Sequence, residues 1–460
     1  MGTFIVGNDM SFIRRLFSSA SDAMPSSSTA LRFPEENLLA TAAQGDGFFI
    51  TRPGALLKGN RYKIIRKLGR GRCSNTFLVE DLQSSLSSNK FLAAKILSAD
   101  STNALKNGLI HELEFLQAVA DRPHGTPEPL LPILHDHFAQ KGLHGVHYCF
   151  LTSPLRSHVH AFRASAPTGK LLVHIVKPII ACVVDALQVL HSRNIIHADI
   201  KADNLLFLGP DTAEIEETIA RDPPLVDGTF TFNDTEYPIL RSQPFQPKIS
   251  WNATPFIAET IQVVLSDLGV ALWADRPKPP GDIGAFALRA PENIIRAECG
   301  KEIDIWAIGC MTYELLAGEI LFQPQSIPDL TPDESLLLLQ VAVTGETLSK
   351  DVIDQSRVKD KYFNREGALI HSRKNAYSRQ SVKERLTKQC HGDLTEIQIN
   401  AAARFINDCL RLNPHDRLTI DQLALHSWLE TAFMGGMDEE HPPGAANIPP
   451  LPNPTPAPAL

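Results

Sequence analysis

Within His197-Ala198-Asp199-Ile200-Lys201-Ala202-Asp203-Asn204, a carboxylate, a cation and an amide oxygen stand two and three residues apart. Moving a phosphoryl group needs a carboxylate near the attacking hydroxyl, a cation near the moving phosphate and an oxygen ligand for Mg²⁺. Asp199, Lys201 and Asn204 supply all three, just after an apolar helical stretch and before the apolar run Leu205-Leu206-Phe207. Taken alone, these polar residues would also suit an ordinary loop. That reading falls because further pieces of the same chemistry follow in order along the chain.

Leu68-Gly69-Arg70-Gly71-Arg72-Cys73-Ser74-Asn75-Thr76 joins two predicted strands, and its glycines let backbone N–H groups approach phosphates with no Cβ in the way. Two glycines in a hairpin more often mean a turn, and Ser74 stands where a third glycine would complete the pattern. Lys95, in Ala93-Ala94-Lys95-Ile96, reads either as a snorkelling surface lysine or as a phosphate-binding ammonium held by a carboxylate on the next helix. Glu112 and Glu114 are the candidates for that carboxylate. Glu112 lies nearer the Leu109-Leu113-Leu116 stripe and is chosen, with Glu114 facing solvent. Asp267, in Ser266-Asp267-Leu268-Gly269, follows the apolar run Ile261–Leu265 and suits a metal ligand at the end of a buried strand. Asp-x-Gly is common in turns, so its weight comes from position. Glu292 in Arg289-Ala290-Pro291-Glu292 and Arg417 are expected to form a buried bidentate pair, since either would be costly to bury alone.

The elements that must position these groups change character along the chain. Runs Tyr62–Leu68, Thr76–Glu80, Phe91–Leu97, Leu131–Phe138 and His147–Leu151 read as an antiparallel sheet, with one amphipathic helix over Leu105–Ala120. Beyond them the pattern is helical: Leu171–His191, Glu302–Leu316, Glu334–Val343 and Ile397–Leu410. This is an α+β chain of two lobes: a small β-rich N-lobe over about 62–152, and a larger helical C-lobe over about 156–428. Residues 209–258, Pro-rich with eight acidic and three basic side chains, read as a loop insertion. Residues 1–55 read as an unpacked or targeting segment, and 435–460 as a Pro-rich tail.

Length and composition exclude some functions. With 460 residues, 43% hydrophobic and 21% charged, the chain can bury a large core. A net charge of −8 argues against direct nucleic-acid binding. The stretch Leu171–Leu190 contains His174, Lys177, Pro178 and Asp185, so a buried helix is expected rather than a membrane span. Seven scattered cysteines, none in CxxC spacing, read as reduced thiols of the cytoplasm or nucleus. The Arg- and Ser-containing stretch Met10–Ala20 offers a mitochondrial alternative, opposed by Asp9 and Asp22. Val6 stands where myristoylation needs Ser or Thr.

In the order of these motifs, from Tyr62 to Trp428, the chain resembles the eukaryotic protein kinases. The resemblance implies a bilobal kinase fold with ATP and Mg²⁺ between the lobes. It implies Asp199 as the catalytic base, Lys201 on the γ-phosphate, Lys95 on the α/β-phosphates paired with Glu112, and Asn204 and Asp267 as Mg²⁺ ligands. Leu68, Gly69, Arg70, Gly71, Thr76, Ala93, Lys95, Ser153 and Leu155 would line the nucleotide. Ser153-Pro154-Leu155 would be the hinge, with Thr152 guarding the back of the adenine pocket. Ser74, the Asp-Leu-Gly form of the metal motif, and the spacer between catalytic loop and Asp267 resemble the SR-protein kinases, particularly fungal ones. That implies a monomeric serine/threonine kinase, of the non-specific class EC 2.7.11.1, acting on protein substrates such as Arg/Ser-rich RNA-processing factors, with no membrane partner.

Departures from the family pattern carry their own expectations. Ala198 replaces the arginine before the catalytic Asp, and Asp267–Glu292 contains no Ser, Thr or Tyr. Activity is therefore expected not to depend on phosphorylation in that segment. Ala285 replaces a hydroxyl that helps hold the catalytic Asp and Lys, and Thr76 replaces a valine over adenine. These departures favour a second reading, a pseudokinase scaffold, which the retention of Lys95, Asp199, Asn204 and Asp267 opposes. A small-molecule kinase would keep the cleft, but Ala290-Pro291-Glu292 together with Asp304-Ile305-Trp306 and Arg417 is not expected of it.

Overall fold

The computed structural model describes residues 33–85, 90–121, 130–278, 283–370 and 377–434. Period-two runs place β1 (Leu56–Leu57), β2 (Tyr62–Arg70), β3 (Ser74–Asp81), β4 (Phe91–Leu97), β5 (Leu134–Gly142) and β6 (Gly145–Thr152) in one antiparallel sheet. Its order is β1-β2-β3-β4-β6-β5. Phe77, Val79, Leu92, Ala94, Ile96 and Leu151 are buried on one face with Tyr62 and Ile64. Alternation then sends Lys95 to the other face, on a central strand between Thr76 and Phe150.

The expected single helix over 105–120 is two: α1 (Ala99–Lys106) and α2 (Glu112–Ala120). Ser98 Oγ accepts from the N–H of Ser101 and caps α1, while Gly108, at φ 68°, cannot continue a right-handed helix. Leu109 and Ile110 still pack on the core, so the apolar spacing runs straight across the break.

The C-lobe is built on α3 (Val159–Ala164) and α4 (Val173–Ser192), followed by β7 (Ile195–Ile196) and β8 (Leu205–Phe207). Of α4's most apolar window, 78% is buried inside the lobe, and its polar groups are used locally. His174 Nε2 meets the carbonyl of Ala253 at 2.8 Å, and Lys177 Nζ donates to Thr431 Oγ1 at 2.8 Å.

The reading of 209–258 as a loop is corrected: it holds α5 (Thr212–Arg221) and a hairpin of β9 (Val226–Phe232) and β10 (Thr235–Leu240). The insert is ordered because it shares a core with the N-lobe. Ile215 and Phe245 are buried against Leu68, Leu78, Phe91 and Ala93. Phe230 and Ile239 are buried against Leu38, Phe48 and Ile50. The last contact also corrects the reading of 1–55 as wholly unpacked, since the chain packs from Phe33 onward. Lys67, 2% exposed, donates to Glu35 at 2.7 Å and Glu36 at 2.6 Å. Asn75 Nδ2 reaches Glu36, and Ser242 reaches Glu35 through its N–H and hydroxyl. Both carboxylates bond the single Lys67 ammonium, and the neutral donors of Asn75 and Ser242 satisfy further oxygens. Met10–Ala20 and residues 435–460 lie outside the described residues.

At its root the insert is fastened to the hinge. Arg156 forks onto Glu214 at 2.6 and 2.7 Å and donates to the carbonyls of Leu208 and Gln246. Gly209 is required there, because a Cβ would sit 1.8 Å from the carbonyl oxygen of Pro154. The bond from Arg156, opposed by partial burial and aided by Lys248, lowers the Glu214 carboxyl to about 2. A carboxylate depressed by folding adds stability above its unfolded value near 4.5, and that stability is lost as pH falls toward 2. Glu214→Gln is therefore expected to cost about 1–2 kcal/mol at pH 7, less than the full shift implies because solvent screens this partly exposed pair. Urea unfolding of both proteins at pH 7 and pH 3 checks it: the gap narrows at pH 3, and an unchanged gap refutes the linkage.

Further elements of the lobe include β11 (Val263–Leu265), β12 (Leu272–Trp273), α6 (Glu302–Ala317), α7 (Pro332–Thr344) and α8 (Glu396–Cys409). β11 pairs with β8, and β12 with β7, so the segments carrying Asp199 and Asp267 are laced together from both sides.

Candidate active site

Lys95 leaves β4 toward the cleft, where Glu112 Oε1 lies 2.5 Å and Asp267 Oδ1 2.9 Å from its Nζ. Glu112 begins α2 and is buried, while Glu114 is half exposed and paired with His111. Burial would lower the Lys95 ammonium, but the carboxylates of Asp267 and Glu112 outweigh it and hold the group protonated. The charge of Lys95 in turn lowers the Asp267 carboxyl to about 2. Asp267 sits at φ 67°, a left-handed position that a short polar residue tolerates.

The second cluster is built by β7, β8 and the turn between them. Lys201 Nζ donates to Asp199 Oδ2 at 2.6 Å, and Asn204 Nδ2 donates to Asp199 O at 2.7 Å and Oδ2 at 2.9 Å. Burial pulls the Lys201 ammonium down, and the Asp199 carboxylate more than reverses it. Asn204 gives both amide hydrogens to Asp199, which leaves its Oδ1 as the available acceptor. The clusters are joined through Ser266, whose N–H donates to Asn204 O at 2.8 Å and whose carbonyl accepts from His197 Nε2 at 3.0 Å. That bond, with His197 Nδ1 accepting from the Asp199 N–H, assigns the Nε2–H tautomer.

Two residues that hold this geometry had no role assigned from sequence: Asp304, quoted there only as part of its motif, and Arg193. Asp304, 1% exposed at the start of α6, accepts from the N–H groups of His197 and Ala198 at 2.8 Å each and meets His191 Nε2 at 2.9 Å. It pins Ala198 at φ 68°, a strained conformation for a non-glycine residue. Arg193, at the end of α4, donates to the carbonyls of Ala118 and Asp121, tying α2 to the C-lobe. An Asp inside an apolar helix was the available signal for Asp304; nothing local marked Arg193.

The residues expected at the nucleotide sit around the first cluster. Gly69 pairs with Thr76 across the β2–β3 hairpin, and Gly71 N–H donates to Ser74 O at 2.8 Å, closing its tip. Arg70 is drawn outward, to the carbonyl of Glu35. Ala93 lies opposite Thr152 in the sheet, and Ser153 Oγ lies 2.9 Å from His135 Nε2. Leu68 and Ala93 are also backed by Ile215 and Phe245, so the insert buttresses this wall. Leu155 follows at the hinge, half-buried. Below the catalytic loop a cleft is lined by Ala198, Asp199, Gly284, Ala285, Leu288 and Asn293. Glu292 and Arg417 form the expected pair at 2.6 and 2.8 Å, both fully buried.

Comparison with known proteins agrees with this geometry. A protein kinase domain matches residues 62–215 and 255–429, passing over most of the insert. The chain therefore belongs to the protein kinase family. It is 28% identical over 346 residues to the serine/threonine-protein kinase SRPK of Physarum polycephalum, covering 71% of this chain and 76% of that one. It is 25% identical over 376 residues to a serine/threonine protein kinase of Aspergillus fumigatus, covering 80% and 84%. Its identity to SRSF protein kinase 3 of Sus scrofa is 23% over 456 residues, covering 71% and 79%. A kinase domain solved by crystallography superposes with a TM-score of 0.58 at 20% identity, covering 83% of this chain and 99% of the other, a likeness of fold.

Proposed function

We propose that this serine/threonine protein kinase moves the γ-phosphate of ATP onto hydroxyls of Arg/Ser-rich protein segments. The observation that carries the reading is the joining, through Ser266, of Lys95–Glu112–Asp267 to Asp199–Lys201–Asn204. Asp199 stands as the group that takes the hydroxyl proton. Lys201, held on it, stands where negative charge develops on the moving phosphoryl. Lys95, kept protonated and aimed by Glu112, is suited to the inner phosphates.

The residues present fit Mg²⁺. Among the described residues no group of three or more His, Cys, Asp or Glu could hold a metal by itself. Asn204 Oδ1 and the ionised Asp267 are two hard oxygen donors, and Mg²⁺ is commonly held by one or two protein oxygens, with phosphates and water completing its shell. When bound, the ion neutralises charge on the β- and γ-phosphates. Without it, Glu112, Asp199 and Asp267 leave one negative charge in excess of Lys95 and Lys201, which favours a cation.

Two observations support the substrate class. The relatives include a kinase named for SRSF proteins, SRSF protein kinase 3. Beside Asn204, the side chain of Asp203 is 51% exposed, with His160 at 4.0 Å, and offers a carboxylate to an incoming guanidinium. The reading extends to a monomer without a membrane partner, in the cytoplasm or nucleus, where the seven unpaired thiols would stay reduced.

An Mg²⁺/[γ-³²P]ATP assay offering an Arg/Ser-repeat peptide and a generic basic protein tests it. The peptide is expected to show a kcat/KM about tenfold higher or more, equivalent to about 1.4 kcal/mol. Equal labelling of both removes the substrate assignment. No labelling of either, with nucleotide still bound, replaces the enzyme with the scaffold suggested by Ser74, Thr76 and Ala285.

A further inference from the structure

The segment after Asp267 holds no hydroxyl to phosphorylate, and Ala198 supplies no guanidinium to receive a phosphate. Yet it is fastened to α2, the helix that delivers Glu112 to Lys95. The Trp273 ring packs on Phe115 of α2, with ring centroids 5.0 Å apart and planes at 45°. Arg276 lies over the same indole at 4.8 Å and reaches Glu114 Oε2 at 3.5 Å. Glu114 is two residues beyond Glu112 in the first turn of α2.

The other side of Trp273 is tied to the catalytic loop. Its backbone pairs with Ile195 in β7, two residues before His197, and Ala274 N–H donates to Asn194 O at 2.7 Å. Lys278 closes the turn, its Nζ donating to the carbonyls of Trp273, Ala274 and Arg276 at 2.7–2.9 Å. One indole thus touches α2 on its face and carries the strand entering the catalytic loop on its backbone.

We propose that Trp273 and Arg276 are positioning residues that clasp the segment after Asp267 to α2, setting Glu112 against Lys95 without any covalent modification. The proposal rests on the kinase reading above and deepens it, since it names what replaces the phosphate-to-arginine tether that Ala198 removes. The clasp acts through the placement of Glu112; neither residue touches a reacting group. Glu114 is the receiving carboxylate, held below its ordinary range chiefly by the hydrogen bond from His111, with Arg276 adding to it. Arg276 and Glu114 are each about half exposed, so their ion pair alone is weak. Its stacking on an indole already packed against Phe115 gives the guanidinium a fixed place, which a bare surface pair lacks.

The test compares wild type with Arg276→Ala, Arg276→Lys, Trp273→Phe and the swap Arg276→Glu with Glu114→Arg. Turnover at saturating peptide and ATP is measured with hydrogen exchange over residues 112–120. Arg276→Ala is expected to lower kcat about three- to tenfold, with peptide KM unchanged, and to speed exchange in α2. Arg276→Lys restores part of the loss, Trp273→Phe loses more than Arg276→Lys, and the charge swap recovers most of it. Unchanged exchange in Arg276→Ala and Trp273→Phe overturns the clasp. Faster exchange with unchanged kcat also overturns it, because the contact is then structural only. Should wild type transfer no phosphate, the kinase reading fails by itself, and exchange in α2 still decides the clasp.

Discussion

Asp199→Ala is expected to lower kcat about 10²- to 10⁴-fold while leaving the fold and ATP affinity nearly unchanged. The magnitude is that of removing a positioned general base. Asp199 also orders its neighbours, since Lys201 Nζ and Asn204 Nδ2 both donate to Oδ2. The alanine variant therefore loses the proton acceptor and frees the cation that faces the moving phosphoryl. Among the described residues the Asp199 side chain bonds only Lys201 and Asn204 of its own turn, so the lobe should survive. Lys95→Met is the companion variant, and it should weaken nucleotide binding as well, because Glu112 and Asp267 are left facing each other without their shared cation. Radiolabel transfer together with thermal melting separates loss of chemistry from loss of fold. Turnover at the wild-type rate in either variant would sink the assignment of these residues.

The largest effect on stability is expected from Arg417→Ala, about 3–5 kcal/mol, read as a shift in the urea midpoint. That is the cost of breaking a buried ion pair from one side. The Arg417 and Glu292 side chains are 0% and 1% exposed, so Glu292 would be left charged and unpaired in the core. Arg417 also donates to the carbonyls of Arg411 and Glu302, and its guanidinium lies 5.0 Å over the Trp306 ring. Lysine cannot reproduce this forked, stacked geometry, so Arg417→Lys should recover little. The double variant Glu292→Gln with Arg417→Met should cost less than Arg417→Ala alone, because no buried charge is stranded. A double variant at least as unstable as the single one would show that the pair's hydrogen bonds, rather than its charges, dominate.

The parts legible in sequence are those in which chemistry dictates residue type at fixed spacing. Asp199, Lys201 and Asn204 must lie within one turn, and Lys95 must alternate with buried neighbours, so both clusters leave a linear trace. The choice of Glu112 over Glu114 agrees with their burial, although apolar spacing alone separated them narrowly. Helix boundaries were less visible: Leu109 and Ile110 continue the apolar period across Gly108, and only the backbone angle reveals the break. The insert was misread for a different reason. Its few large apolar residues, such as Ile215, Phe230, Ile239 and Phe245, are too sparse to form a core alone, and they complete cores begun elsewhere in the chain. Asp304 was quoted with its helix, but its bonds to His197 and Ala198 depend on a fold that brings positions about a hundred apart together.

The union of the N-terminal segment with the insert also sets an order of events in the folding of the chain. Glu35 can meet Lys67 early, but its two bonds from Ser242, 207 residues downstream, must wait. At about 5–20 residues per second, synthesis alone imposes a delay of roughly 10–40 s. Throughout that interval Leu38, Phe48 and Ile50 lack Phe230 and Ile239, the partners that bury them. Closure of this long loop comes after the N-lobe sheet has its strands, and non-local closure is slow. The nascent chain thus carries an uncovered apolar surface on its N-lobe until the hairpin emerges, which makes that surface a point of chaperone dependence and of premature aggregation.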